Sequence, residues 1–135
     1  MGIVVDSGVF ILWERRGHTV AARLAELDRP GFISVASASE LLVGVHRANT
    51  PERREKRSRF VEGILKRFPI LGIELHVARI HAVLAAELAQ KGTTIGYQDL
   101  WIAATALNYD YAVMTTNARE FSRIQNLEVI PIDTT

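Results

Sequence analysis

The sequence predicts an α/β fold, an α/β/α sandwich around a central parallel sheet of about five strands. The main observation is that short runs of β-branched and other apolar residues recur along the chain, with helix-length patterns between them. Strands that alternate with helices pair in parallel through right-handed crossovers, which places helices on both faces of the sheet. The second observation is size: 135 residues, 48% of them hydrophobic, can fill one core of ordinary volume. We therefore expect a single domain spanning residues 1–135.

Five segments are the predicted strands, and each is short and rich in Val and Ile. They are IVV at 3–5, FISV at 32–35, ILGI at 70–73, AVMT at 112–115 and VIPI at 129–132. Such runs are typical of strands that are buried on both faces of a parallel sheet.

Helical patterns fill the intervals between these strands. We predict helices at about 18–27, 37–48, 51–68 and 75–91, followed by one that starts within IGYQDLWIAATA at 95–106. Pro51 stands at a plausible first helical position. The predicted apolar side of the helix at 75–91 consists of Leu75, Ala78, Ala82, Ala85 and Ala89.

Asp99 heads an apolar stripe in the segment IGYQDLWIAATA. Ile102, Ala103 and Ala106 follow it at spacings of three, four and seven, so they share its helix face. A crossover helix runs antiparallel to the strands it joins, which places its N-terminus at their carboxyl ends. We expect Asp99 at that edge of the sheet, although its stripe faces the core.

Other polar residues follow the predicted strands directly. Asp6 directly follows IVV in IVVDSG, Glu40 lies just after FISV, and Asn117 with Glu120 follows AVMT. In an open parallel sheet, ligands bind in the crevice at the carboxyl ends of the strands. The sequence therefore predicts that Asp6, Glu40, Asn117 and Asp99 converge on one rim, with Glu120 just beyond Asn117.

Helix capping is the alternative explanation of these residues. The caps would be Asp6 alone, Ser37 with Glu40, Asn117 with Glu120, and Asp99 at the positive end of its helix dipole. Caps do not require carboxylates, however, and several carboxylates in a partly dry crevice raise one another's proton affinity unless a cation lies among them. Mg²⁺ and Mn²⁺ are the hard, oxygen-preferring ions that such a site would take.

The formal net charge of +1 hides a basic segment. Residues 47–67 contain eight of the sixteen Lys and Arg residues against three Glu. This excess is compatible with a polyanionic partner. Glu52 with Lys56, and Glu62 with Lys66, are helical i,i+4 pairs, so a solvated helix explains the segment equally well.

Several functional classes lose their support. The chain has no cysteine, which excludes thiolate metal sites and cysteine nucleophiles and suits a reducing cytoplasm. It contains no Walker loop and no G-x-S-x-G, and IVVDSG stands where a dinucleotide-binding loop would follow the first strand. No apolar run reaches the length of a membrane span, so we expect no membrane association and a cytoplasmic location.

Four segments carry a resemblance to a known family. They are IVVDSGVFI, ASASELLVGV, GTTIGYQDLWIAATAL and AVMTTNAREFSRIQNLEVI, in this order along the chain. On these segments the chain resembles PIN domains, and specifically the VapC-type toxins of prokaryotic toxin–antitoxin pairs. The combination GxxIGxxDxxIAATA with TxNxxxF is much more specific than any single acid.

The resemblance implies a fold, an activity and a set of site residues. It implies an α/β/α domain that binds one or two Mg²⁺ or Mn²⁺ ions and cleaves RNA, with a small antitoxin blocking the site. The implied metal-site acids are Asp6, Glu40 and Asp99, with Asn117 where many relatives have a fourth Asp, Glu120 as the nearest replacement acid, and Ser7 and Thr115 as supporting hydroxyls.

Two functions remain open at this stage. The first is a Mg²⁺- or Mn²⁺-dependent endoribonuclease toxin that forms a homodimer and is neutralised by a cognate VapB-type antitoxin. Its predicted contacts to RNA are Arg53, Arg54, Arg57, Lys66 and Arg67. The alternative is a catalytically weak or inert PIN-like module that binds RNA or protein, because Asn117 lowers the negative charge of the site.

Overall fold

The computed structural model describes residues 1–134, which contain five strands and seven helices. Their order is β1 (Ile3–Val5), α1 (Ser7–Arg16), α2 (Val20–Leu27), β2 (Gly31–Ser34), α3 (Val35–His46), α4 (Pro51–Arg67), β3 (Ile70–Leu71), α5 (Leu75–Gln90), α6 (Tyr97–Tyr109), β4 (Ala112–Thr115), α7 (Ala118–Phe121) and β5 (Val129–Pro131). No helix within residues 1–134 is both long enough and apolar enough to cross a membrane.

The strands form one sheet in the order β3-β2-β1-β4-β5, and every neighbouring pair is parallel. The chain winds outward from β1 in one direction to β2 and β3, and in the other direction to β4 and β5. Such a reversal leaves a crevice at the carboxyl ends of the two central strands, β1 and β4. The predicted α/β/α sandwich with five parallel strands is confirmed.

The side chains of β1 explain the two helical layers, because alternate residues point to opposite faces of the sheet. Ile3 and Val5 belong to a core with α1, α2, α4 and most of α3. Val4 belongs to a second core with α5, α6 and Phe121 of α7. All three β1 side chains are wholly buried, so this strand is the centre of both cores.

The predicted boundaries of α3 were wrong by two residues at its start. The Ser34 hydroxyl accepts a hydrogen bond from the Ala36 backbone N–H at 3.1 Å and caps the helix there. Ser37 therefore lies inside the first turns, buried, with its hydroxyl unpaired among the described residues. The predicted capping box of Ser37 with Glu40 is wrong because the strand runs directly into the helix.

The predicted apolar side of α5 was also wrong. Leu75 is 67% exposed, whereas Val77, Leu84 and Leu88 are buried against α6 and the sheet. Larger side chains remove more apolar surface from water than alanines do, so burying the face with Val and Leu is favoured. Ala82 and Ala89 are exposed, whereas Ala85 packs against the second core.

A close approach between layers explains Gly31 at the start of β2. A β-carbon at this position would overlap the Leu24 side chain and lie 3.3 Å from the ring of Phe68. Glycine is therefore required here by packing, since α2 and the end of α4 both press on the strand.

Candidate active site

The carboxyl ends of β1 and β4 bring the predicted polar residues together. Asp6 directly follows β1 and is the N-cap of α1, as predicted, while Asn117 follows β4 and precedes α7. Asp99 lies in the first turn of α6. The charge of Glu40 on α3 interacts with those of Asp6 and Asp99, and the charge of Glu120 does the same. All five therefore lie around one rim.

Asp6 is held rigidly at the centre of this rim. It is only 7% exposed, and its Oδ1 accepts a hydrogen bond from the Ser7 backbone N–H at 2.8 Å. Its Oδ2 accepts a second hydrogen bond from the hydroxyl of Thr115, also at 2.8 Å. Thr115 ends the strand next to β1, so the parallel pairing of β1 with β4 sets this contact. The carboxylate group of Asp6 therefore cannot rotate without breaking these hydrogen bonds.

Asn117 connects three neighbours. Its side-chain amide donates to Asp99 Oδ2 at 3.1 Å and to Glu120 Oε2 at 2.6 Å. Its backbone N–H donates to the Thr115 hydroxyl at 2.9 Å, which links it to Asp6. A continuous chain of hydrogen bonds therefore runs from Asp6 through Thr115 and Asn117 to Asp99.

The predicted capping box of Asn117 with Glu120 is not formed. Asn117 is the N-cap of α7, but its side chain makes no capping hydrogen bond. Glu120 Oε1 instead accepts the backbone N–H of Gly96, the N-cap of α6. Glu120 thus ties the start of α6 to α7, which neither local sequence segment reveals.

Gly8 permits the loop after β4 to approach the first turn of α1. A β-carbon at Gly8 would lie 2.9 Å from the hydroxyl oxygen of Thr116. The first turn of α1 can therefore lie directly beside the segment that follows β4. Only the glycine itself signalled it in the sequence.

Burial and mutual repulsion raise the pKa of three carboxyl groups. Burial raises the pKa of Asp6, opposed by the hydrogen bonds from Thr115 and Ser7. Burial, then the charges of Asp6 and Asp99, raise the pKa of Glu40, opposed by a hydrogen bond from Ser7. Burial, then the charges of Asp6 and Glu120, raise the pKa of Asp99 to about 6.

Glu120 shows the opposite shift. The Gly96 N–H and then the Asn117 amide lower its pKa, because both donate to its ionised form. The rim therefore combines three acids that resist ionisation with one that stays ionised.

The donor chemistry of this rim fits a hard divalent cation. The available ligands are carboxylate oxygens, and a cation among them would relieve the repulsion that raises their pKa values. No group of three His, Asp or Glu side chains within residues 1–134 is gathered closely enough to form a ready-made ligand set. Asn117 stands between Asp99 and Glu120, so an ion would have to draw the carboxylates inward.

The five basic residues predicted to contact RNA fall into two places on α4. Arg53 and Arg57 line a cleft against α1 and α3, and Arg54 donates to the Ala48 carbonyl beside it at 3.2 Å. Arg67 lines a separate apolar cavity that includes Phe10 and Trp13. Lys66 precedes it at the same end of α4. The structure thus keeps Lys66 and Arg67 apart from the other three.

Comparison with known sequences gives two consistent results. The PIN domain family matches residues 3–127 of the chain. A ribonuclease VapC of Rickettsia bellii is 33% identical over 132 residues, which cover 98% of this chain and 97% of that protein. All five residues of the rim lie within the range that the family matches.

Solved structures show the same architecture. VapBC2 of Rickettsia felis, crystallised with a DNA fragment from its promoter, matches with a TM-score of 0.87 and 26% identity, covering 98% of this chain and 100% of that one. VapBC-5 of Mycobacterium tuberculosis, a member of the VapBC family of toxin-antitoxin systems, matches with a TM-score of 0.76 and 30% identity over 97% and 98% of the two chains. The chain therefore belongs to the PIN-domain family and, within it, to the VapC group.

Proposed function

We propose that this protein is a Mg²⁺- or Mn²⁺-dependent endoribonuclease toxin that hydrolyses RNA phosphodiester bonds. The observation that carries the proposal is the rim itself, where Asp6, Glu40 and Asp99 share raised pKa values around a common crevice. Each of these carboxylates opposes the ionisation of the others, and a divalent cation among them would relieve that repulsion. The ribonuclease named among the relatives supports the substrate class.

The residues have distinct proposed roles. Asp6, Glu40 and Asp99 would hold the ion, and Glu120 would add a fourth carboxylate at the edge. When bound, such an ion lowers the pKa of a water molecule and offsets charge on the attacked phosphate. Thr115 and Ser7 fix the orientation of Asp6, and Asn117 fixes those of Asp99 and Glu120. One of these carboxylates would accept the proton released from water.

A cleavage assay with matched variants tests this proposal. Purified protein is incubated with total RNA in Mg²⁺, in Mn²⁺ and in EDTA, and compared with Asp6→Asn and Asp99→Asn. We expect cleavage only with a divalent ion, and at least about a hundredfold loss in both variants. Asp110→Asn is the control, because it makes the same change at an exposed left-handed position that Asn also tolerates. Undiminished cleavage by Asp6→Asn and Asp99→Asn would show that the assigned site is wrong.

The partners follow from the same proposal. We infer a VapB-type antitoxin that blocks the rim, supported by the toxin–antitoxin complexes formed by structural neighbours. We also propose that the protein forms a homodimer and is located in the cytoplasm, where RNA is available. Co-expression with the gene next to that of the toxin should restore growth and yield a co-purifying complex. Sedimentation of the toxin alone would report the dimer.

One observation favours the alternative of an inert binding module. Asn117 presents its N–H groups to Asp99 and Glu120, so the rim has a hydrogen-bond donor where a further carboxylate would strengthen a metal site. An inert module would bind RNA without turnover at any Mg²⁺ or Mn²⁺ concentration. Product formation in the cleavage assay therefore decides between the two functions.

A further inference from the structure

A basic cleft lies between α1, α3 and α4, outside the acidic rim. Its volume is about 560 Å³. Its charged lining consists of Arg15, Arg47, Arg53, Lys56 and Arg57 against the single carboxylate of Glu14. Only three of these cations belong to the contiguous run on α4, and the other two come from α1 and the end of α3. The fold therefore concentrates positive charge here beyond what the basic segment alone contains.

Two of the cations are engaged within the protein and three are not. Arg57 pairs with Glu14 at 3.3 Å and lies over the Phe60 ring, and Arg53 donates to the Asn49 side chain at 2.7 Å. The side chains of the remaining three make no hydrogen bond or ion pair with any residue between 1 and 134, and all three are exposed. These three are Arg15, Arg47 and Lys56.

The cleft continues the acidic rim along two helices. On α3, Glu40, Gly44 and Arg47 recur at spacings of four and three and share one face. On α1, Ser7 and Glu14 are related by the same seven-residue step. Seven residues of helix rise about 10 Å. Ser7 and Glu40 at the rim, and Glu14 and Arg47 in the cleft, therefore lie one seven-residue step apart on the same two helices.

We propose that this cleft binds backbone phosphates of single-stranded RNA two or three nucleotides away from the bond at the acidic rim. The proposal rests on the proposed ribonuclease function and names how its substrate is held. Stacked nucleotides advance about 3.4 Å each along a strand, so a separation of about 10 Å corresponds to about two or three nucleotides. The excess positive charge would offset the repulsion between RNA and the carboxylates of the rim.

Gly44 supports an extended backbone as the occupant. It lies on the face that joins the two sites, and a β-carbon there would meet no atom within 4 Å. Packing therefore does not require glycine at this position, and its bare backbone leaves the floor of the groove open. With Ala48 beside it, this part of the lining offers no apolar pocket for a peptide side chain.

Binding to a labelled single-stranded RNA in EDTA tests the inference separately from catalysis. Gly44→Glu places a carboxylate in the open groove, and we expect it to weaken the affinity on the order of tenfold near physiological salt. Gly44→Gln adds the same bulk without charge and should have a smaller effect. Ala82→Glu is the charge control, because it adds the same carboxylate at an exposed position of α5, in the other helical layer and outside the cleft. It should bind RNA like the unmodified protein.

The salt dependence gives a second measurement. Replacing both Arg47 and Lys56 by Ala should reduce the slope of log affinity against log salt by about 1.4, or 0.7 for each lost phosphate contact. Unchanged affinity and slope in these variants would overturn the inference, and so would a loss of antitoxin binding with RNA binding intact. If the protein cleaves RNA but its RNA affinity does not change in the cleft variants, the ribonuclease proposal stands and this inference is wrong. If RNA binds through the cleft but is never cleaved, this inference stands and the ribonuclease proposal is wrong.

Discussion

Asn117 donates its side-chain amide to Asp99 at 3.1 Å, across the gap between the end of β4 and the first turn of α6. The same amide group reaches Glu120 at 2.6 Å. A neutral donor therefore separates two carboxylates that would otherwise repel each other. This arrangement stabilises the rim, but it leaves one negative charge fewer for a bound cation.

Replacing Asn117 with Asp should exchange stability for metal affinity. Without metal, the variant loses two hydrogen bonds to charged groups and gains repulsion, so we expect its free energy of unfolding to fall by about 1–3 kcal/mol. Added Mn²⁺ should restore more stability to the variant than to the unmodified protein, because a ligand that binds only the folded state stabilises it. Thermal unfolding with EDTA and with Mn²⁺ measures both effects. Asn126→Asp, the same change at an exposed position outside the rim, should show neither.

Thr115 should be essential through its hydroxyl group. It donates to Asp6 and accepts from the backbone of Asn117, and it is wholly buried. Thr115→Val leaves both partners without this contact, so we expect the unfolding free energy to fall by about 1.5–3 kcal/mol and cleavage to fall about 10- to 100-fold. Thr115→Ser keeps the hydroxyl and should retain most of the activity. Equal activities of the Val and Ser variants would contradict the role of this hydrogen bond.

The stability of the metal-free protein should depend on pH in an unusual direction. The Asp99 pKa is about 6 in the folded protein and 3.8 as an ordinary carboxyl, so between these values the folded state binds more protons than the unfolded state. The free energy of unfolding contributed by Asp99 therefore decreases as the pH rises from about 4 to 6.5. Allowing for solvent screening of this half-buried group, we expect a change of about 1–2 kcal/mol.

Denaturant unfolding in EDTA at pH 4.5 and pH 7 measures this effect. The comparison is made with Asp99→Asn, because Glu120 and Glu128 have lowered pKa values and act in the opposite direction. Relative to Asp99→Asn, the unmodified protein should have a higher free energy of unfolding at pH 4.5 than at pH 7. Asp110→Asn should behave like the unmodified protein. A relative gain in stability of the unmodified protein toward pH 7 would show that the sign is wrong.

Gly31 and Gly63 should respond oppositely to replacement by alanine. At Gly31 the new methyl group would overlap Leu24, so we expect a loss of about 1–3 kcal/mol in the unfolding free energy. At Gly63, within α4, the methyl group meets no atom within 4 Å, and the higher helix propensity of Ala should stabilise the protein by up to about 1 kcal/mol. Urea unfolding midpoints compare the two variants. Similar effects at both positions would contradict the packing described for β2.

The positions of Asp6 and Asp99 could be predicted from sequence because topology decides them. A residue directly after a strand, and a residue in the first turn of a crossover helix, both lie at the carboxyl ends of parallel strands. The spacing of Ile102, Ala103 and Ala106 then fixed the orientation of α6, and all three are wholly buried. These inferences needed only local patterns and one rule of chain connection.

Other features depended on contacts that no local pattern contains. Helix α1 was not predicted beyond its cap, because Val9, Phe10 and Trp13 are buried while Ile11 and Leu12 are partly buried, so the segment lacks a clear amphipathic period. The contact of Glu120 with Gly96 joins residues 24 positions apart. The basic cleft likewise combines α1, α3 and α4, so charge counting over residues 47–67 did not find Arg15, which α1 contributes.

The central place of β1 has a consequence for amide hydrogen exchange. β1 has hydrogen-bonded neighbours on both sides, whereas the edge strand β3 has two residues, and Ile70 in it is 40% exposed. Local openings usually begin at such edges and reach the most buried strands last. We expect the amides of Ile3, Val4 and Val5 to exchange among the slowest. Asp6 follows them directly, so brief openings at the outer strands would leave its carboxylate in place.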